Sequence, residues 1–125
     1  MDEYSVLIVD DEEELVTTLV ERLQLRGINA QAATNGETAL KIIEENPPQV
    51  VVLDVMMPGI GGMEILQRMK AQNLKIPVIL LTGYGSTEKG LEGMNQGAFD
   101  YIMKPCDLNN LISKIREAAN INDLR

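Results

Sequence analysis

Four places along this chain carry side chains suited to metal-assisted phosphoryl chemistry: the adjacent acids Asp10 and Asp11, the separate acid Asp54, the hydroxyl of Thr82 and the ammonium of Lys104. Each has an ordinary structural role open to it. Asp11 could cap a helix, with Glu14 three residues on as its partner. Asp54 could open a turn ahead of Pro58-Gly59. Thr82 is a common strand-end residue, and Lys104 could be a solvated charge. As a set they are harder to account for. Carboxylates gathered within a few Å repel by about 4 kcal/mol per pair at an effective dielectric of 20, so a fold that gathers them needs a compensating cation. Lys104 supplies one positive charge and a divalent metal would supply two more. Open carboxylate sites suit Mg2+, which keeps waters and coordinates phosphoryl oxygens. A carboxylate can also act as a nucleophile and form an aspartyl-phosphate. Acidic pair, nucleophilic carboxylate, hydroxyl and lysine together make up the set that metal-assisted phosphoryl transfer requires.

The surrounding pattern brings these residues to one edge. Val6-Leu7-Ile8-Val9, Val50-Val51-Val52-Leu53 and Val78-Ile79-Leu80-Leu81 are continuous apolar runs, as expected of strands buried on both faces. Ile28–Ala33 and Tyr101-Ile102-Met103 are weaker strand candidates. Between them, Leu15, Val16, Leu19, Val20 and Leu23 form a helical stripe that ends at Gly27. Ala39, Leu40, Ile42 and Ile43 form a second, opened by a Thr34…Glu37 capping box and stopped before Pro47-Pro48. Met63, Leu66, Met69 and Lys70 outline a third. Leu91 and Met94 outline a fourth, and Leu108, Leu111, Ile112, Ile115 and Ala119 a fifth. Five rounds of strand then helix predict an α/β domain with a parallel sheet covered on both faces by right-handed crossovers. In such a sheet ligands bind at the carboxyl ends of the strands. The first strand runs into Asp10-Asp11, the third into Asp54, the fourth into Thr82 and the fifth into Lys104-Pro105.

Composition narrows the chemistry further. The chain has 125 residues, 45% of them hydrophobic, which predicts one domain over residues 1–125 with a real core. It has no histidine and a single cysteine, Cys106, so a Ser-His-Asp triad, a Cys-His pair, a cysteine metal cluster and an intramolecular disulfide are excluded. Any metal is therefore held by oxygen, which favours Mg2+ or Ca2+. A net charge of −8 argues against direct nucleic-acid binding by this domain. The longest apolar stretch, near Ile76–Leu81, is far short of the about 20 residues a membrane span needs. Met1-Asp2-Glu3 is acidic where a signal peptide is basic. The expectation is a cytoplasmic protein without membrane association.

The segments VLIVDDEEEL, VVLDVMMPGIGGMEIL, VILLTGYGS and GAFDYIMKPCDL resemble the receiver domain of two-component response regulators, and the likeness runs from about Tyr4 to Ala119. That family implies a flavodoxin-like doubly wound (βα)5 sheet of strand order 2-1-3-4-5. It implies Asp54 as the phosphoacceptor, Asp11 as a direct Mg2+ ligand, and Asp10 as its partner acting mainly through water. The Met56 backbone carbonyl would be a third protein ligand. Thr82 resembles the switch hydroxyl and Lys104 the ammonium that pairs with the phosphoryl group. Pro105 implies a cis Lys104–Pro105 bond, and Tyr101 resembles the aromatic switch residue. The implied cofactor is Mg2+. The implied partners are a sensor histidine kinase or histidine phosphotransfer protein, with dimerisation or output docking through the fourth helix, fifth strand and fifth helix. Three positions depart from the family's habit. Gly61 stands where Asp is frequent, Cys106 where Phe is frequent, and Gly83 where Ala is also common.

Rival readings are weaker. A nucleotide- or flavin-binding enzyme on a similar sheet lacks its glycine-rich phosphate loop here, since the segment from Gly83 to Glu88 misses the last glycine of the dinucleotide fingerprint. An aspartyl-phosphate hydrolase commonly carries a second acid two residues after the nucleophile, where this chain has Met56. A phosphate-independent interaction module would be favoured by loss of the acidic pair, Asp54 or Lys104, and all are present. The chain stops soon after the fifth helix. That fits a single-domain relay, a receiver from a DNA-binding transcription factor, or one from a hybrid kinase. Two finer expectations concern the edges of the site. Tyr84 and Met56 should flank a phosphoryl group and slow its hydrolysis. Five glycines (Gly83, Gly85, Gly90, Gly93 and Gly97) should leave the fourth helix marginal and easily moved.

Overall fold

The structure is a computed structural model that describes residues 4–83 and 87–123. Strands β1 (Ser5–Val9), β2 (Asn29–Ala33), β3 (Val50–Asp54), β4 (Val78–Thr82) and β5 (Asp100–Met103) alternate with helices α1 (Glu13–Leu25), α2 (Gly36–Glu45), α3 (Gly62–Ala71), α4 (Thr87–Asn95) and α5 (Leu108–Asp123). The strands form one parallel sheet in the order β2-β1-β3-β4-β5. Both the predicted class and the strand order hold.

Period-2 alternation divides the buried side chains between the two faces. Val6, Ile8, Val50, Val52, Ile79 and Leu81 pack with Val16, Leu19 and Leu23 of α1 and with Leu111, Ile112 and Ile115 of α5. Leu7, Val9, Val51, Leu53, Val78 and Leu80 point the other way, toward Ala39 and Ile43 of α2 and Ile65, Leu66 and Met69 of α3. Each fully buried Leu, Ile or Val contributes about 1.5–3 kcal/mol through removal of its surface from water. The strands that carry the site are therefore held from both sides.

Three local readings are corrected. The first helix begins one residue later than an Asp11 cap requires; its N-cap is Glu12, which makes no side-chain capping bond. The second helix is capped by Asn35, whose Oδ1 accepts the Thr38 N–H at 2.8 Å, so the Thr34…Glu37 box is displaced by one residue. The third correction concerns α4. Leu91 and Met94, read as its inward stripe, are 55% and 39% exposed. Among its described side-chain positions the buried ones are Gly90 and Gly93. A Cβ built at Gly90 would enter the Tyr101 ring, and one at Gly93 would meet the Leu80 side chain. With glycine at these two positions α4 lies close to β4 and β5, so close packing accounts for them.

Candidate functional site

The backbone registers the reactive side chains before any side-chain contact is considered. The Asp10 N–H donates to the Ala33 carbonyl at 3.1 Å, Val55 N–H to Leu81 at 2.9 Å, and Lys104 N–H to Thr82 at 2.8 Å. Asp54 pairs with Leu81, and Thr82 with Met103. Asp10, Asp54, Thr82 and Lys104 thus lie together at the carboxyl ends of β1, β3, β4 and β5. Apolar neighbours bury three of them: Asp10 and Thr82 have no exposed surface and Asp54 is 4% exposed. Asp11 is exposed.

Carboxylate oxygens of Asp10, Asp11 and Asp54 all lie within 4.8 Å of one another. Lys104 answers part of this charge. Its Nζ lies 2.7 Å from Asp10 Oδ2, 3.0 Å from Glu12 Oε1 and 3.5 Å from Asp54 Oδ2. The other Asp10 oxygen accepts the Glu12 N–H at 3.0 Å, and Asp54 Oδ1 accepts the Met56 N–H at 3.3 Å. Burial raises the Asp54 pKa to about 6, with the Asp10 charge adding to the rise and Lys104 opposing it. At pH 7 the group is still predominantly a carboxylate. Burial alone would lower Lys104, but its short contacts to the Asp10 and Glu12 carboxylates and the charge on Asp54 hold it well above the usual lysine range.

Thr82 Oγ1 is fully buried and has no hydrogen-bond partner among the described residues. A buried hydroxyl left without a partner costs about 1–3 kcal/mol, so it marks a place where an acceptor is missing. Three clustered carboxylates with one lysine, beside an orphaned hydroxyl, match the donor set for Mg2+ and a phosphoryl group. The site opens into a cleft of about 720 Å³ whose lining includes Asp11, Glu12, Asp54, Met56 and Lys104. Its apolar end includes Leu15 of α1 and the half-buried Cys106, whose thiol burial pushes upward in pKa, as befits a packing residue.

Every expected site residue that the structure describes lies at this edge or leads from it. The Lys104–Pro105 bond is cis. Tyr101 is partly buried among the residues of the α2–α3 face, with its ring against Gly90. Met56 is 62% exposed and lines the cleft. Tyr84, expected beside it, lies outside the described residues, as does Gly85. Two participants escaped the sequence reading. Glu12, to which the sequence patterns assign no role, contacts Lys104; the available signal was a long acid at a helix start, where a short capping residue is usual. Gly62 lets α3 approach so closely that an added Cβ would strike the Asp54 main-chain carbonyl oxygen. Its signal was the Gly59, Gly61, Gly62 cluster. Gly61, at the position where Asp is frequent, is the N-cap of α3 and offers no side-chain bond.

Comparison with known proteins gives one consistent result. The family model for the response regulator receiver domain matches residues 6–116. Regulatory protein AtoC of Escherichia coli (strain K12) is 36% identical over 120 residues, covering 96% of this chain and 26% of that protein. An NtrX-like response regulator of Rickettsia typhi is 36% identical over 127 residues, covering 100% of this chain and 27% of its own length. The receiver domain of the Francisella response regulator 1452 superposes with a TM-score of 0.91 at 32% identity, covering 96% of this chain and 99% of that one. The chain therefore spans about a quarter of the length of these two curated relatives.

Proposed function

The chain belongs to the response regulator receiver domain family, and from that premise we propose that Asp54 accepts a phosphoryl group and that the domain, residues 1–125, changes shape in response. The observation that carries this reading is the pairing of a buried, predominantly ionised Asp54 with Lys104 and an orphaned Thr82 hydroxyl. An Asp54 carboxylate oxygen attacks phosphorus and the bond from phosphorus to the donor's leaving atom breaks, its electron pair departing with the leaving group. With no histidine among residues 1–125, a phosphohistidine donor lies outside this domain. We assign the donor to a phosphohistidine on a sensor kinase or phosphotransfer protein, or to a small acyl phosphate. Asp10, Asp11, Asp54 and the Met56 carbonyl would hold Mg2+, which when bound neutralises charge developing on the phosphoryl oxygens. Lys104 supplies an ammonium to one phosphoryl oxygen and Thr82 a neutral donor to another.

Output follows from the same contacts. Thr82 is bonded through its carbonyl to Lys104 at the end of β5, and the Tyr101 ring of that strand lies against α4. Closure of Thr82 on the phosphoryl group would bias α4, β5 and α5, the face through which we propose that the domain dimerises or docks. Leu91, Met94 and Met103 are exposed there, which supports an apolar contact. The relatives extend well beyond the matched region, which supports a receiver working within a longer regulator. Among the described residues no helix is long and apolar enough to cross a membrane. The test is labelling by radioactive acetyl phosphate with and without Mg2+. Mg2+-dependent label on the wild type and none on Asp54→Ala is expected. Stoichiometric label on Asp54→Ala would overturn the assignment.

A further inference from the structure

Lys104 divides one ammonium among three carboxylates, and the three are not alike. Asp10 and Asp54 are buried, whereas the Glu12 side chain is 63% exposed. Glu12 reaches Lys104 because of how its main chain is held. Its N–H donates to Asp10 Oδ1 at 3.0 Å and its carbonyl accepts the Val16 N–H at 3.0 Å. It is the N-cap residue of α1, yet its side chain takes no part in capping. A shorter Asp or Ser at that position turns back onto the first-turn N–H groups. Glu12 instead extends across the mouth of the cleft to the ammonium.

We propose that Glu12 is a positioning residue: it holds the Lys104 ammonium at the outer rim of the acidic cluster until a phosphoryl group occupies Asp54, and then releases it. The inference rests on Asp54 being the phosphoacceptor and Lys104 its cation. A lysine ammonium has three N–H donors, and in the unphosphorylated site the contacts to Asp10 and Glu12 are the shorter two, that to Asp54 the longest. A phosphoryl group brings roughly −1.5 to −2 charge and needs one of those donors. Asp10 gives up its contact with the ammonium less cheaply, because it is fully buried and bulk water cannot take the ammonium's place. Glu12 gives its own up more readily, because water receives its exposed carboxylate. The exchange is therefore Glu12 for phosphoryl oxygen, with Asp10 retained. Glu12 competes directly with the bound phosphoryl group, and its identity sets how readily the phosphorylated state forms.

The test uses beryllofluoride with Mg2+ as a non-covalent phosphoryl mimic on the full chain, read by calorimetric titration. Removing the competitor with Glu12→Gln should tighten mimic binding roughly two- to fivefold, the scale of an exposed ion pair. Glu13→Gln removes the same charge one residue on and should leave the affinity unchanged. Glu12→Asp keeps the charge but withdraws the reach, and should behave like Glu12→Gln. The 15N resonance of the Lys104 ammonium in the free protein should move in both Glu12 variants and stay put in Glu13→Gln. Equal tightening by Glu12→Gln and Glu13→Gln would reduce the effect to general field and overturn the proposal, as would wild-type behaviour of Glu12→Asp. If the wild type binds the mimic and Glu12→Gln binds it with the same affinity, the clamp alone is overturned. A wild-type chain that takes up no mimic and no phosphoryl label overturns the phosphoacceptor reading with it.

Discussion

Replacing Asp54 by its amide should make the cation-free protein more stable. The pKa of Asp54 rises from 3.8 to about 6 on folding, chiefly because the carboxyl is buried and stands beside Asp10. A rise of about 2 pH units corresponds to about 3 kcal/mol at 1.36 kcal/mol per unit. The folded chain binds this proton more tightly than the unfolded chain. Its stabilising effect is complete below pH 3.8 and is lost as pH rises through 6, so at pH 7 the ionised group opposes folding. Asp54→Asn removes that opposition while leaving Asp10 to hold Lys104 at 2.7 Å. The variant should gain about 2–3 kcal/mol at pH 7, and about half of that at pH 5. For 125 residues, with an unfolding entropy of about 2.1 cal/mol/K per residue, the gain at pH 7 raises Tm by about 10 °C. The assay is thermal and urea unfolding followed by circular dichroism in EDTA at both pH values. Mg2+ at a hundredfold its Kd should return about 2.7 kcal/mol to the wild type and narrow the gap. A variant no more stable than wild type at pH 7, or an advantage that does not shrink at pH 5, would refute the argument.

Further outcomes follow from close approaches and from the acidic cluster. Gly62→Ala should cost about 1–3 kcal/mol of overpacking and slow Asp54 labelling, because the new methyl meets the Asp54 carbonyl oxygen; urea unfolding and label uptake check both effects. Gly90→Ala should destabilise by a similar amount despite gaining about 1 kcal/mol of helix propensity, and a double-mutant cycle with Tyr101→Ala should recover most of the loss. Asp11→Asn should weaken Mg2+ binding far more than Glu13→Gln, since Asp11 belongs to the carboxylate cluster and Glu13 does not; calorimetric Mg2+ titration compares them.

Legibility in the sequence followed the strength of the physical signal. Val6–Val9, Val50–Leu53 and Val78–Leu81 are buried on both faces, so their composition is nearly uniform and the strands stand out. The residues at their ends were legible because a charge is costly to bury, and one placed directly after an apolar run marks where the strand leaves the core. The fourth helix misled because periodicity looks for large apolar residues, whereas contact here is made by glycines, which have no hydropathy to display. Leu91 and Met94 then passed for a core stripe while facing outward. Glu12 was illegible for a different reason. Its partner lies 92 residues away, and only the assembled sheet edge brings them together. Capping residues shifted by one because several side chains at a helix start can serve, and main-chain geometry chooses among them.

The charges at this edge also show why a small covalent event would have a directed consequence. Asp10, Asp11, Asp54 and the rim residue Glu12 against one ammonium leave three negatives, two of which a divalent cation balances. On the proposed reading, phosphorylation replaces the Asp54 charge with roughly −1.5 to −2, so the site acquires unmet demand for donors. Lys104 can meet part of it by changing partners at the rim, a short movement that leaves β5 in place. Thr82 has no partner to give up among the described residues, so a new bond there is pure gain. Its carbonyl already anchors the start of the Lys104 segment, and the next contact outward is Tyr101 against Gly90. On that side Gly90 and Gly93 receive the Tyr101 ring and the Leu80 side chain, so a shift of Tyr101 is felt directly by α4. On the proposed reading the response to the new charge therefore starts at the β4–α4 end, rather than at α1, which is locked by buried leucine and valine.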